Sequence, residues 1–128
     1  KMENLKLEGS AKTPSVDFNQ ESGVLELKGR SIPENSVEFY QPLNEWIDTY
    51  GGQPKKETIV DNKFEYFNTS SSKCILDLFK KLEALNGKQT DVKVNWYFEE
   101  DDEDMEEAGE DYQAIIGLPF KMIEVEEI

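Results

Sequence analysis

Apolar residues in this chain change their spacing along its length, from every second position to every third or fourth and back, three times over. A period of two buries one face of a strand, and a period near 3.6 buries one face of a helix. Strands that alternate with helices in this way build a parallel sheet with right-handed crossovers and helices packed on it. No other feature of the sequence narrows the fold so far.

The blocks can be placed. Val16 and Phe18, then Val24, Leu25 and Leu27, bracket the turn Asn19-Gln20-Glu21-Ser22-Gly23, which is the pattern of a β-hairpin. Gly29 reads as the end of its second strand. Ile32 to Ser36 read as a turn, and Val37, Tyr40, Leu43, Ile47 and Tyr50 follow at helical spacing. Pro42 interrupts them. A proline in a helix interior costs about 3 kcal/mol, but almost nothing at the first helical position. The expectation is therefore a helical turn over 34–40 and a main helix from about Gln41, stopped by Gly51-Gly52. Residues 57–67 read as a strand with Phe64 and Tyr66 on one face. Ile75, Leu78, Phe79, Leu82 and Leu85 mark an amphipathic helix ended by Asn86-Gly87. Val92, Val94 and Trp96 alternate as a strand. Tyr112, Ile115 and Ile116 read as the apolar side of a helix emerging from an acidic run, and Phe120 to Val125 as a last strand after Pro119.

The expected order is β-β-α-β-α-β-α-β. It makes a single mixed, mostly parallel sheet with an N-terminal antiparallel hairpin and about three helices, an α/β class. Residues 1–10 form an N-terminal segment in which Leu5 and Leu7 offer a short edge strand, and 11–128 form one domain. Met2 reads as the natural start and Lys1 as an added residue. No apolar run approaches the roughly 20 residues of a membrane helix, and no secretory signal is visible, so a cytoplasmic home is expected.

Composition then removes whole classes of chemistry. The chain has no histidine, which excludes Ser-His-Asp and Cys-His catalysis and His-ligated metals. Its single cysteine, Cys74, excludes an intrachain disulfide and a CxxC pair. No Gly-rich phosphate loop and no nucleophile beside a base stands out, so an enzyme is not expected, nor a cofactor. The formal charge of −14 argues against nucleic acid and anionic membranes as partners. That charge is local. Residues 99–111 hold ten acids and no base, so the rest of the chain carries 18 acids against 14 bases. A calcium loop would need alternating ligands and a central glycine, whereas these acids are continuous and Gly109 is misplaced. The run reads as a solvated loop or helix start, with an electrostatic contact to a basic partner as the alternative and no metal.

The stretch most open to function is Asn68-Thr69-Ser70-Ser71-Ser72, four hydroxyls where a strand hands over to a helix. One reading is helix capping, in which a side-chain oxygen accepts from the first free N–H groups. The other is a phosphorylation or anion site, because a helix N-terminus offers free donors and partial positive charge. The turn Pro33-Glu34-Asn35-Ser36 opens the preceding helix. In a parallel sheet both turns fall at C-terminal strand ends, the edge where α/β sheets engage ligands. The expected partner surface is therefore Pro33, Glu34, Asn35, Ser36, Asn68, Thr69, Ser70, Ser71 and Lys73. Cys74 and Trp46, Trp96 and Tyr97 read as core and rim.

These stretches carry a resemblance. Thr13-Pro14-Ser15-Val16, Pro33-Glu34-Asn35-Ser36 with Phe39-Tyr40-Gln41-Pro42, Tyr66-Phe67-Asn68-Thr69-Ser70-Ser71-Ser72-Lys73, and Val94-Asn95-Trp96-Tyr97 with Gly117-Leu118-Pro119-Phe120 resemble the SiaC family of bacterial biofilm-regulation phosphoproteins over residues 11–125. Ser72 stands where the family pattern leads one to expect an apolar residue. The resemblance implies a fold similar to STAS and anti-anti-sigma-factor domains. It implies a regulator whose threonine, here Thr69, is phosphorylated by a HATPase-fold kinase and released by a PP2C-type phosphatase, with Ser70, Ser71 and Ser72 as neighbouring candidates. It also implies that the unphosphorylated form activates a GGDEF diguanylate cyclase and so raises cyclic di-GMP. The alternative is an interaction module of the same fold that is never phosphorylated.

Overall fold

The computed structural model describes residues 2–128. Nine elements follow in chain order: β1 (Leu5–Leu7), β2 (Ser15–Asn19), β3 (Val24–Ser31), α1 (Ser36–Tyr50), β4 (Glu57–Phe67), α2 (Thr69–Leu85), β5 (Asp91–Glu99), α3 (Glu103–Ile115) and β6 (Phe120–Val125). The six strands form one sheet in sequence order, antiparallel from β1 to β3 and parallel from β3 to β6. The expected mixed sheet, its opening hairpin, the edge strand at Leu5–Leu7 and the three helices are all present.

Strand order equals chain order, so every β-α-β crossover steps in the same direction. Right-handed crossovers that all step one way put all three helices on one face. Burial follows. Leu25, Leu27, Val60, Phe64, Val92, Val94, Trp96 and Phe98 point into the core, while Glu26, Asp61, Lys63, Asn95 and Tyr97 line the other, half-exposed face. There Lys63 pairs with Glu26 at 2.8 Å and lies 5.0 Å from the Tyr97 ring centre. Trp96 is the fully buried centre under α2 and α3, with Phe64, Phe79 and Tyr112 around it. Its indole donates to the Met105 carbonyl at 2.9 Å. Gly109 lets α3 come this close, because a Cβ there would collide with the Trp96 ring.

The structure corrects five local expectations. Helix α1 is continuous from Ser36, with Pro42 inside it, rather than starting at Gln41. Pro42 deprives the Glu38 carbonyl of its partner, but both residues are exposed and water can take that place. Burial of Tyr40, Leu43, Trp46, Ile47 and Tyr50 outweighs the defect. Val37 is not on that buried face; it is 70% exposed. Strand β3 runs through Gly29, whose φ of 114° suits glycine, to Ser31. Opposite it, Phe64 pairs with Gly29 and Tyr66 with Arg30, so Glu65 is the extra residue of a bulge. The bulge turns Tyr66 out beneath the Arg30 guanidinium and Phe67 in, so Phe64 and Tyr66 do not share a face. Finally, Ile115 is 65% exposed rather than packed. The acidic run does supply a helix start, with Asp102 as N-cap of α3.

Candidate functional site

Strands β3 and β4 are parallel neighbours, so their C-terminal ends lie side by side and helices α1 and α2 both start there. Each start is capped by asparagine. Asn35 Oδ1 accepts from the Glu38 N–H at 3.1 Å, and Asn68 Oδ1 from the Ser71 N–H at 2.9 Å. The two turns are then tied together. The Asn68 N–H donates to the Ser31 carbonyl at 3.0 Å, and Ser36 Oγ lies 2.7 Å from Ser70 Oγ. The sequence-derived surface is thus brought to one place.

A chain of hydroxyls runs beneath it, and counting protons gives its direction. Ser71 Oγ donates to the Ser31 carbonyl at 3.0 Å, and Ser31 Oγ donates to Ser71 Oγ at 2.8 Å. The one proton of Ser31 is therefore used, so in the 2.7 Å contact between Ser31 and Tyr40 the tyrosine is the donor. Likewise Ser70 Oγ donates to Asn68 Oδ1 at 3.1 Å, which leaves Ser36 as donor to Ser70. Ser31, Tyr40 and Ser71 are fully buried. Burial holds the Tyr40 hydroxyl well above its ordinary pKa, so it stays a neutral donor.

This network divides the four hydroxyls. Ser71 is sealed inside and bridges α2 to the end of β3. Ser70 is exposed but held by Ser36 and the cap. Ser72 is half-buried, and its carbonyl accepts from Tyr112 of α3 at 2.8 Å. Thr69, first residue of α2, is exposed, and none of these bonds uses its hydroxyl. Lys73, one turn on, is exposed on the same side of the helix. Of the other turn, Glu34 and Asn35 are exposed, whereas Pro33 and Ser36 are buried. The outward set is thus Glu34, Asn35, Thr69, Ser70 and Lys73. An open groove of about 680 Å³ adjoins it, floored by Leu7, Pro33, Phe39 and Pro42 and edged by Glu8 and Glu38.

Ser31 and Tyr40 escape a reading of the sequence. Ser31 meets Ser71 across 40 positions, and no local pattern announces such a pair. The acidic stretch of α3 shows no grouping fit for a metal ion, and no helix is long and apolar enough to cross a membrane, both among the described residues. Cys74 is buried and its thiol pKa is pushed up by burial, with Asp77 adding to the effect, so it is no reactive thiolate.

Comparison with known proteins agrees in sequence and in shape. The family model described as SiaC family regulatory phosphoprotein matches residues 7–125. A protein of Pseudomonas aeruginosa strain UCBPP-PA14 is 27% identical over 119 residues, 93% of this chain and 94% of the relative. The structure of SiaC from P. aeruginosa superposes with a TM-score of 0.88 at 26% identity, covering 97% of this chain and all of that one. A second structure, of the P. aeruginosa diguanylate cyclase SiaD in complex with its activator SiaC, matches with a TM-score of 0.88 at 26% identity over 94% of this chain and 99% of that one.

Proposed function

The chain belongs to the SiaC family of regulatory phosphoproteins, and from that premise we propose that it is a cytoplasmic, non-enzymatic switch read out at Thr69. Unmodified, the surface of Glu34, Asn35, Thr69, Ser70 and Lys73 docks on an effector, and the SiaD complex of the relative makes a diguanylate cyclase the first candidate. A HATPase-fold kinase would phosphorylate Thr69 and a PP2C-type phosphatase would restore it.

The observation that carries this reading is the division of hydroxyls. Ser71 and Ser70 are committed to holding the two turns together, while Thr69 stands outside the network on the same platform. A phosphate on the first residue of a helix faces the free N–H groups and positive end of α2, so it need not melt the helix. Lys73, one turn away, adds a cation. The fold would survive modification while the surface changes. About two negative charges at the centre of a contact leave a desolvated charge without a designed partner, a strongly unfavourable arrangement.

The test pairs chemistry with binding. Mass spectrometry of the protein from its native host is expected to find phosphate on Thr69 and none on Ser71. By calorimetry, Thr69→Ala should bind a diguanylate cyclase from the same host as the unmodified protein does, and Thr69→Glu at least roughly tenfold more weakly. An unphosphorylated Thr69 under all growth conditions, with Thr69→Glu binding normally, would favour the plain interaction module.

A further inference from the structure

A second surface lies one turn from Thr69 and shares Lys73 with it. Helices α2 and α3 leave a groove of about 240 Å³ between them, whose apolar lining includes Phe67, Leu76, Ala108 and Ile115, with Lys73 and Asp111 on its rim. Its volume is below the roughly 300 Å³ where small-molecule sites begin, and it suits one or two inserted side chains better than a cofactor. Ile115 is 65% exposed beside it, an unpaired large apolar residue at the end of α3. Ala108, Asp111 and Ile115 follow at the i, i+3, i+7 spacing of one helix face.

The groove's rim is balanced, Lys73 against Asp111, and the excess charge that names its occupant lies along α3. Helix α3 carries Glu103, Asp104, Glu106, Glu107, Glu110 and Asp111 and no base. The ion pairs among the described residues, Lys63–Glu26, Lys81–Asp48 and Lys93–Glu57, involve none of them. An apolar slot beside a stripe of uncompensated carboxylates is complementary to an amphipathic helix with apolar anchors and flanking lysines or arginines. A second copy of this chain is a poor fit, because it would bring its own −14 charge to an acidic helix.

The geometry points to this groove as a docking site for a cationic amphipathic helix of a partner protein, used whether or not Thr69 is modified. Leu76 lies seven residues beyond Thr69, roughly 10 Å along the helix, and Ala108 and Ile115 belong to another element. The phosphate and the apolar anchors are therefore separate, and Lys73 borders both. A partner can stay tethered at α3 while its contact with the Thr69 platform is made or broken.

Fluorescence anisotropy of the full chain tests it, with two labelled helical peptides of about four turns as probes. One carries leucines at i, i+3, i+4 and i+7 with lysines elsewhere, and the other carries glutamates in place of the lysines. The lysine peptide should bind and the glutamate peptide should not. Ile115→Ser, a charge-neutral change at an exposed position, should weaken binding at least roughly tenfold, and Thr69→Glu should change it less than about twofold. Equal binding by Ile115→Ser would reduce the effect to diffuse charge attraction and overturn the proposal. So would binding of the glutamate peptide, loss of binding in Thr69→Glu, or self-association by sedimentation that Ile115→Ser abolishes. None of these outcomes bears on whether Thr69 is phosphorylated, so the two readings fail separately.

Discussion

Replacing Ser71 with alanine isolates the structural half of the hydroxyl cluster. The side chain is fully buried and does two things: it donates to the Ser31 carbonyl at 3.0 Å and accepts from Ser31 Oγ at 2.8 Å. The carbonyl loses little, because it keeps the Asn68 N–H at 3.0 Å. The hydroxyls lose more. Tyr40 donates to Ser31 and Ser31 to Ser71, and without Ser71 the two remaining protons share one acceptor position between them. However they rotate, one buried donor is stranded. A stranded donor costs about 1–3 kcal/mol and an ordinary lost bond about 1 kcal/mol, so Ser71→Ala should destabilise by about 2–3 kcal/mol. Thr69→Ala, at an exposed position outside the network, should stay within about 0.5 kcal/mol of the parent.

Urea unfolding monitored by circular dichroism measures both. In a chain of this size each kcal/mol is worth about 3–5 °C in Tm, so thermal melts resolve the pair as well. The same proton count makes a sharper demand. Ser31→Ala with Ser71→Ala still strands the Tyr40 hydroxyl, so the double variant should cost far less than the sum of the singles. Adding Tyr40→Phe removes the stranded donor and should recover about 1 kcal/mol. A Ser71→Ala variant within about 0.5 kcal/mol of the parent, or a triple variant less stable than the double, would refute the network as drawn.

Two further outcomes follow from the fold. Pro42→Ala restores a donor to the Glu38 carbonyl in the middle of α1 and should raise stability by about 1–2 kcal/mol, the helix-interior gain less the stiffness proline gives the unfolded chain; a lower urea midpoint would show that Pro42 is favourable where it stands. Burial pushes the Tyr112 hydroxyl up to about 12 from 10.0. With the folded value raised, the Tyr112 contribution is complete below pH 10 and lost as pH rises toward 12, by about 2–3 kcal/mol; buried Tyr40 loses stability in the same direction, so Tyr112→Phe should make the decline shallower without abolishing it in urea midpoints taken from pH 8 to 12.

The order of elements was legible because each is marked by its own period and its own breakers. What escaped was decided by contacts distant in sequence. Pro42 argued for a late helix start, yet the buried face of α1 begins with Ser36 and Tyr40, whose hydroxyls are satisfied by Ser70 and Ser31. Tyr66 alternates correctly with Phe64, but the bulge at Glu65 opposite Gly29 and Arg30 reverses it. Ile115 fits the helical period of α3, but it falls beside the open groove between α2 and α3 and stays outside the core. At the site, four adjacent hydroxyls look alike in sequence. The apolar stripe of Ile75, Leu78, Phe79 and Leu82 carries Ser71 inward with it, but the partner that commits Ser71 is Ser31, 40 residues away, and no local pattern announces it.

The same distinction explains how a small surface can be altered without loss of the fold. A phosphate at Ser71 would have to enter a sealed chain of donors, and one at Ser70 would break the bridge to Ser36 and the bond to the Asn68 cap. Thr69 alone combines the platform with freedom from it. The buried hydroxyls set the position of both turns, so a partner meets a rigid arrangement and loses little entropy in ordering it. On the function proposed above, a charge added there would act on docking and leave the hydroxyl chain beneath intact. A regulated surface of this kind needs its neighbours to be structural: the hydroxyls of Ser70 and Ser71 are tied into the fold by their own hydrogen bonds, and half-buried Ser72 is held through its carbonyl by Tyr112.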